Sequence, residues 1–310
     1  MPENKLFLPE GLRAMPEYTL SFLKNAMDTG SILEGIPQRC SVDHTLYFQL
    51  NGILARMSRD EVNAPWISGA DRTISVISRV GKPTCFTVKT IDSDEKGAPI
   101  VLLDRRLAQE QAMDWLLEHV SPGAIFTCVV THLEPFGVFL DIGCGIIAML
   151  PVEHISVSRI SHPKDRFIEG QKILAAVLSI DRKKRRITMT HRELLGTWME
   201  NASFFNPGET VPGIVRSVQS YGSFIELTPN LSGLTDAREG LAPGDAVSVF
   251  IKSMDPERMK IKLQLIEKLP KLPEKEPLRY HVTDGTLTQW TYSPTNCPKT
   301  VETVFTEAFP

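Results

Sequence analysis

Apolar and polar positions alternate in short runs along most of the chain, and these runs are rich in β-branched residues and punctuated by Gly and Pro. Between residues 123 and 192 the pattern predicts five strands, Ile125–Glu134, Val138–Ile142, Ile146–Leu150, Ile173–Asp181 and Arg186–Thr190. Five strands in about 70 residues suit a small closed barrel. Two stretches carry helical spacing instead. One is Glu17–Asp28; the other is Arg106–Val120, where Leu107, Ala112, Trp115, Leu116 and His119 are available to one face. The second helix is expected to space one barrel from the next. Lys268–Leu278, with three prolines, reads as a stiff linker. Beyond it, Arg279–Thr283 and Leu287–Tyr292 flank an Asp284-Gly285 turn and are expected to form a hairpin on the last barrel.

The strand pattern repeats. Gly123 to Phe139 matches Gly208 to Phe224 without gaps, 85 residues on, with Phe136-Gly137-Val-Phe139 meeting Tyr221-Gly222-Ser-Phe224. Further along, Gly170, Asp181 and Ile187 meet Gly244, Asp255 and Ile261 at a spacing of 74, so the third copy lacks 11 residues of an interior loop. A weaker first copy lies upstream, where Gly81 to Asp92 matches Gly170 to Asp181. Asn51-Gly-Ile-Leu-Ala likewise echoes Cys144-Gly-Ile-Ile-Ala and, extended back without gaps from there, that copy puts Asp43, His44 and Leu46 where the second has Phe136, Gly137 and Phe139, so no aromatic pair is expected there. The chain therefore divides into a helical segment (1–29), a degenerate repeat (30–105), a linker helix (106–122), two full repeats (123–192 and 208–267) and a C-terminal tail (268–310).

Composition narrows the class. The chain has 310 residues, 42% hydrophobic and 23% charged, and no apolar run reaches the roughly 18 residues of a membrane span. The opening MPENKLFLPEGL has neither the apolar run of a secretory signal nor the character of a transit peptide, so a cytoplasmic location and no membrane partner are expected. Five widely spaced cysteines without a CxxC argue against a disulfide framework or a zinc site. Net charge is −3, so any nucleic-acid partner requires a local basic patch.

These residues resemble the RNA-binding repeat of bacterial ribosomal protein S1, an OB-fold barrel also found in polynucleotide phosphorylase and several ribonucleases. The resemblance rests on Gly123…Phe136-Gly137-Val-Phe139-Leu-Asp, Gly170-Gln, and Ile180-Asp181…Arg186-Ile187. It implies an all-β architecture of three tandem five-stranded OB barrels. In the family two aromatics, a histidine after strand three, an aspartate and an arginine lie on the RNA face. These map onto Phe136, Phe139, Asp181 and Arg186; the histidine position holds Pro151, and His154 follows three residues later as the candidate. The third repeat keeps Tyr221, Phe224, Asp255 and Lys260, with Arg216 a further cation, and lysine in place of arginine implies weaker, less directional binding.

The residues support the same reading independently. Phe136 and Phe139 share a face only if the strand is kinked between them, and Gly137 is expected to supply a bulge. Exposed rings on a barrel wall stack unpaired bases, at roughly 1 to 3 kcal/mol per base. A barrel also needs large interior side chains, so two core rings are the competing reading; the recurrence with a tyrosine favours the surface. Arg182, Lys183, Lys184, Arg185 and Arg186 fill the last hairpin of the second repeat. Residues 123–192 hold ten Lys/Arg against six Asp/Glu, whereas 208–265 hold six against seven and 30–104 hold eight against nine. Positive charge is concentrated on the second repeat, which is the expected main site.

Catalytic constellations are missing from the sequence. Asp92-Ser-Asp94-Glu-Lys96-Gly97 starts like a calcium loop, but Lys96 and Leu103 occupy positions that need carboxylates. His154, His162, Asp165 and Glu169 have no metal-ligand spacing and read as a solvated loop. No cofactor or catalytic residue is expected. The reading is a non-enzymatic binder of single-stranded RNA, with message at the ribosome as the expected partner; the first repeat either contacts protein, with the 30S subunit as the candidate, or stabilises the chain, and its insertion Ser58–Val80 with Trp66 reads either as that contact surface or as a variable loop. An RNA-binding regulator or ribonuclease accessory factor, and a protein scaffold that binds no RNA, remain alternatives.

Overall fold

Helix α1 (Leu20–Thr29) begins where the Thr19 hydroxyl accepts from the Phe22 N–H at 3.1 Å, three residues later than the spacing alone suggested. The structure is a computed structural model that describes residues 7–67, 73–270 and 277–306. After α1 come β1 (Leu33–Gly35), β2 (Pro37–Cys40), β3 (Leu46–Leu50), β4 (Ile53–Met57), the short helix α2 (Thr73–Ile77), β5 (Thr84–Ser93) and β6 (Pro99–Asp104). They form one sheet in the order β1-β5-β6-β4-β3-β2. The two end segments are a single stretch of chain interrupted at Ile36: β1 pairs with β5, and β2 pairs with β3. The first repeat is therefore a six-stranded sheet with a broken first strand, where the sequence led us to expect five strands in a closed ring.

Helix α3 (Arg105–His119) is capped by Asp104, whose carboxylate accepts from Leu107 N–H at 2.8 Å. Its buried face is Ala108, Ala112, Met113 and Leu116, with Arg105 and Gln109, whereas Leu107 points to solvent, so the helix is rotated from the expected face. The reason lies on both sides of it. Gln109 accepts from Ala64 N–H at 2.9 Å in the first unit and offers its amide to the Cys144 and Gly145 carbonyls of the second. The helix joins the two units closely; it does not hold them apart. Beside it, Glu10 takes hydrogen bonds from Arg79 and Arg105, each at 2.7 Å, and from Cys85 N–H, while its own N–H donates to Asp141. Burial alone would raise the Glu10 pKa, but the two guanidinium groups outweigh it and hold the carboxyl at about 2.

The second barrel comprises β7 (Ile125–Glu134), β8 (Gly137–Asp141), β9 (Ile147–Pro151), β10 (Lys172–Asp181) and β11 (Arg186–Thr190), closed in the order β10-β11-β9-β8-β7. After the short helix α4 (Trp198–Ala202), the third repeats it with β12 (Thr210–Gln219), β13 (Gly222–Thr228), β14 (Leu231–Thr235), β15 (Ala246–Asp255) and β16 (Lys260–Lys268), in the order β12-β13-β14-β16-β15. Alternating burial along β7, β9 and β11 places Phe126, Cys128, Val130, Ala148, Leu150, Ile187 and Met189 in the barrel interior. The mostly β chain agrees with the strand pattern, and its tandem OB-fold units agree with what the resemblance implied. Among the described residues no helix is long and apolar enough to cross a membrane.

A buried ion cluster fixes the third barrel against the second. Glu226 of β13 pairs with Arg166 from the second barrel and with Arg216 of β12 at 2.7 Å, and Arg216 also reaches Asp165 at 3.4 Å. The tail departs from expectation. No hairpin forms around Asp284-Gly285, because these backbone groups are taken by the second barrel: Ile125 N–H donates to Gly285 O at 3.1 Å and Leu287 N–H to Gly123 O at 2.9 Å. The ribbon that does form pairs β17 (Gln289–Thr291) with β18 (Glu302–Val304). It buries Trp290 and Tyr292 in the core of the third barrel, where the Tyr292 hydroxyl donates to Asn230 O at 2.5 Å. Residues 271–276 of the proline-rich linker and 68–72 of the Ser58–Val80 insertion lie outside the described residues.

Candidate nucleic-acid interface

The aromatic pair of the second barrel is built by a tight reversal. β7 turns into β8 with Glu134 opposite Gly137, leaving Pro135 and Phe136 as the turn. Phe136 is 55% exposed at this tip and Phe139 is half-buried on the strand, with ring centroids 6.1 Å apart at 89°. The two rings share a face because Phe136 stands in the turn, outside the ladder. The bulge that the sequence placed at Gly137 lies instead in β7, between Val130 and His132. Gly137 serves close packing: a Cβ there would sit 2.5 Å from the Leu150 carbonyl, so only glycine lets the tip fold down on β9.

The third barrel reproduces this arrangement. Tyr221 is 65% exposed at the turn, Phe224 lies half-buried on β13, and the rings are 6.4 Å apart at 90°. A Cβ on Gly222 would meet the Thr235 carbonyl at 2.3 Å, the same close approach as at Gly137. Across the outer wall of the second barrel the register sets His132, Phe139, Met149, Thr188 and Ser179 side by side. In the third the matching row is Ser217, Phe224, Leu234, Lys262 and Ser253.

Residues 120–192 match the S1 RNA binding domain. The small ribosomal subunit protein bS1 homolog of Bacillus subtilis is 28% identical over 225 residues, 67% of this chain and 58% of that protein. The bS1 protein of Leuconostoc lactis is likewise 28% identical, over 68% of this chain and 52% of its own length. The chain is an S1-like protein. It spans a little over half the length of these curated relatives. A solved multidomain protein with nucleic acid binding domains from Streptococcus pneumoniae aligns over 79% of this chain and 76% of that one, at 14% identity and a TM-score of 0.26.

The S1-like protein commits several of its candidate residues to structure. Asp181 accepts from Lys184 N–H at 2.9 Å and closes the β10–β11 turn, and Asp255 closes the equivalent turn onto Arg258 N–H at 3.2 Å. Of the five basic residues, Arg182, Lys183, Lys184 and Arg186 are exposed. Arg185 is not free: it pairs with Asp114 on α3 and lies 4.5 Å over the ring of Trp66. That contact, and the packing of Trp66 on the second barrel's core, make the insertion an internal joint. The basic turn sits beyond the Arg186 end of β11 and the aromatic tip near the Thr190 end. At about 3.3 Å per residue, the four steps of β11 separate them by about 13 Å. Charge and rings are therefore two patches along one path.

His154 follows β9 in a single 3-10 turn, half-buried, with Nδ1 3.4 Å from the Thr190 hydroxyl. Burial, and then the neighbouring Arg192, hold its pKa below the ordinary histidine value, so it is a neutral ring facing the barrel. Arg216 is only 8% exposed and belongs to the ion cluster between barrels, because Asp165 and Glu226 draw it inward. Lys260 is exposed at the start of β16. Sequence reasoning missed His132, whose ring lies 6.3 Å from Phe139 at 26° and bonds Glu134 and Glu169. The ungapped repeat aligns His132 with Ser217, so recurrence gave no signal. It also missed Lys262, beside Leu234 in the third row, and Tyr47, which holds the register position of Phe139 in the first unit.

Hydrogen bonds donated to the carboxylates of Glu134 and then Glu169 raise the His132 pKa above its ordinary value. Protonation of the ring removes one of the two negative charges that Glu134 and Glu169 place beside Phe139, so the patch repels phosphate less. RNA binding is therefore expected to weaken as pH rises through that raised value. Titrations between about pH 6 and 8.5 should show this decline, and His132→Gln should flatten it.

Proposed function

We propose that this S1-like protein binds single-stranded RNA without catalysing a reaction, with the second barrel as the main site and the third as a weaker one. The observation that carries this is the recurrence, on two barrels, of an exposed ring at the turn set perpendicular to a half-buried ring on the strand. Two core rings would not leave Phe136 and Tyr221 more than half exposed. Such rings stack bases that a duplex hides, so single strands are favoured. The exposed cations of the β10–β11 turn supply phosphate contacts, and two modest sites on one chain raise avidity without any new contact.

The similarity to bS1 proteins supports message bound at the small ribosomal subunit, in the cytoplasm, as the setting. Among the described residues no group of three or more His, Cys, Asp and Glu side chains is placed to hold a metal. Fluorescence anisotropy with single-stranded and duplex RNA across a salt series, beside co-sedimentation with 30S subunits, tests the reading. Single-strand binding that weakens steeply with salt, and pelleting with the subunit, are expected. RNA binding without pelleting would favour a regulator away from the ribosome, and absence of both would favour a protein scaffold.

A further inference from the structure

The ungapped repeat leaves the first unit without aromatics, but the strand register gives it a complete outer row. A bulge between Pro37 and Arg39 brings Arg39 opposite Tyr47, and the row continues through Arg56, Leu102 and Thr90, with a second bulge between Val88 and Thr90. The two other units bulge at the matching places, before His132 and Ser179 and before Ser217 and Ser253. Tyr47 thus stands where Phe139 and Phe224 stand. The match slips because the β3–β4 turn of the first unit has two residues, Asn51 and Gly52, between the paired Leu50 and Ile53, where the second barrel has three, Gly143, Cys144 and Gly145, between Ile142 and Ile146, whose N–H and C=O are joined at 3.0 Å.

We propose that this face of the first repeat is a third site for single-stranded RNA, one that takes a base on Tyr47 and backbone phosphates on Arg39 and Arg56. The Arg39 guanidinium lies 3.9 Å from the Tyr47 ring centroid, a cation over an aromatic face. Arg56 flanks the same ring from the other neighbouring strand. Both arginines are exposed, and neither is ion-paired among the described residues. Forked guanidinium groups fit phosphate oxygens in pairs, and the half-buried Tyr47 stands in register between the two arginines.

Charge counting hid this face. Four of the nine acids in that count are committed elsewhere: Glu34 accepts from Gly11 N–H, Asp104 caps α3, Glu61 pairs with Lys89, and Asp94 closes the β5–β6 turn. The face therefore carries two cations on the row itself, where the second barrel's row has only His132. The assignment rests on the reading that these aromatic rows hold RNA.

The test uses the full chain and a uridine-rich RNA of about 30 nucleotides, long enough for several barrels at roughly 4 to 16 nucleotides each. Arg39→Gln/Arg56→Gln is expected to weaken binding about tenfold. It should also make the slope of log affinity against log salt shallower by about 1.4, at about 0.7 per lost phosphate contact. Ultraviolet crosslinking of the unaltered protein to 4-thiouridine RNA should label the peptide that contains Tyr47. Unchanged affinity and slope in this variant, while Phe136→Ala/Phe139→Ala still weakens binding, would overturn the third site alone. If neither variant weakened binding, the reading of the second barrel would fall as well. Should the arginine variant misfold, crosslinks confined to the second and third barrels would overturn the proposal. Retained RNA affinity with lost 30S pelleting would make the face a protein contact instead.

Discussion

Phe136→Ala/Phe139→Ala should weaken binding to single-stranded RNA on the order of a hundredfold at low salt. Each stacked base contributes roughly 1 to 3 kcal/mol, so two lost rings give about 2 to 6 kcal/mol at this barrel, and binding by the remaining units limits the observed loss. Phe136 is 55% exposed and Phe139 half-buried, so the fold should survive. Anisotropy beside thermal unfolding separates a lost platform from a lost barrel. Tyr221→Ala/Phe224→Ala should cost less, because residues 208–265 carry six Lys/Arg against seven Asp/Glu and attract phosphates more weakly. A protein with unchanged affinity in the first double variant would have its RNA site elsewhere.

The largest stability effect is expected at Glu226. Its carboxylate accepts from Arg216 at 2.7 and 3.0 Å and from Arg166, with the Arg166, Arg216 and Glu226 side chains 8% exposed or less. Glu226→Ala leaves two guanidinium groups buried with Asp165 as the one nearby acid, and removing one partner of a buried pair costs about 3 to 5 kcal/mol. Urea unfolding followed by tryptophan fluorescence should show a midpoint shifted down accordingly, since Trp198 and Trp290 lie in the third barrel's core. Loosening this joint frees the third barrel to reorient against the second. Affinity for long RNA should then fall more than affinity for a short oligonucleotide that one barrel can hold. An unchanged midpoint would mean that the cluster is hydrated and contributes little.

Strand content was readable because a half-buried strand must alternate and small barrels need β-branched walls. β11 falls at Arg186–Thr190, as the pattern placed it, and β7 at Ile125–Glu134. The helix face of α3 was less legible: Leu107 looked like a core position, but the second barrel offers its surface to Ala108 and Ala112. The tail was misread for a related reason. Its strands compete for hydrogen-bond partners, and Gly123 and Ile125, far away in sequence, won those around Gly285.

Among the site residues, the sequence by itself determined which side chains recur: Phe136 with Tyr221, Phe139 with Phe224, and the glycine after each turn residue. Periodicity and spacing carry that much because each repeat folds by the same local rules. Tertiary structure alone decided which of the charges face outward. Arg185 and Arg216 count as cations in any tally, yet Asp114 from the linker helix occupies the first, and Glu226 from the adjacent strand with Asp165 from the second barrel occupies the other. It also decided the register of the first unit, where a β3–β4 turn one residue shorter than that of the second barrel moves Tyr47 into the place of Phe139. Side chains on a strand alternate faces with every residue, so a one-residue slip reverses what is wall and what is core, and an ungapped alignment cannot register it.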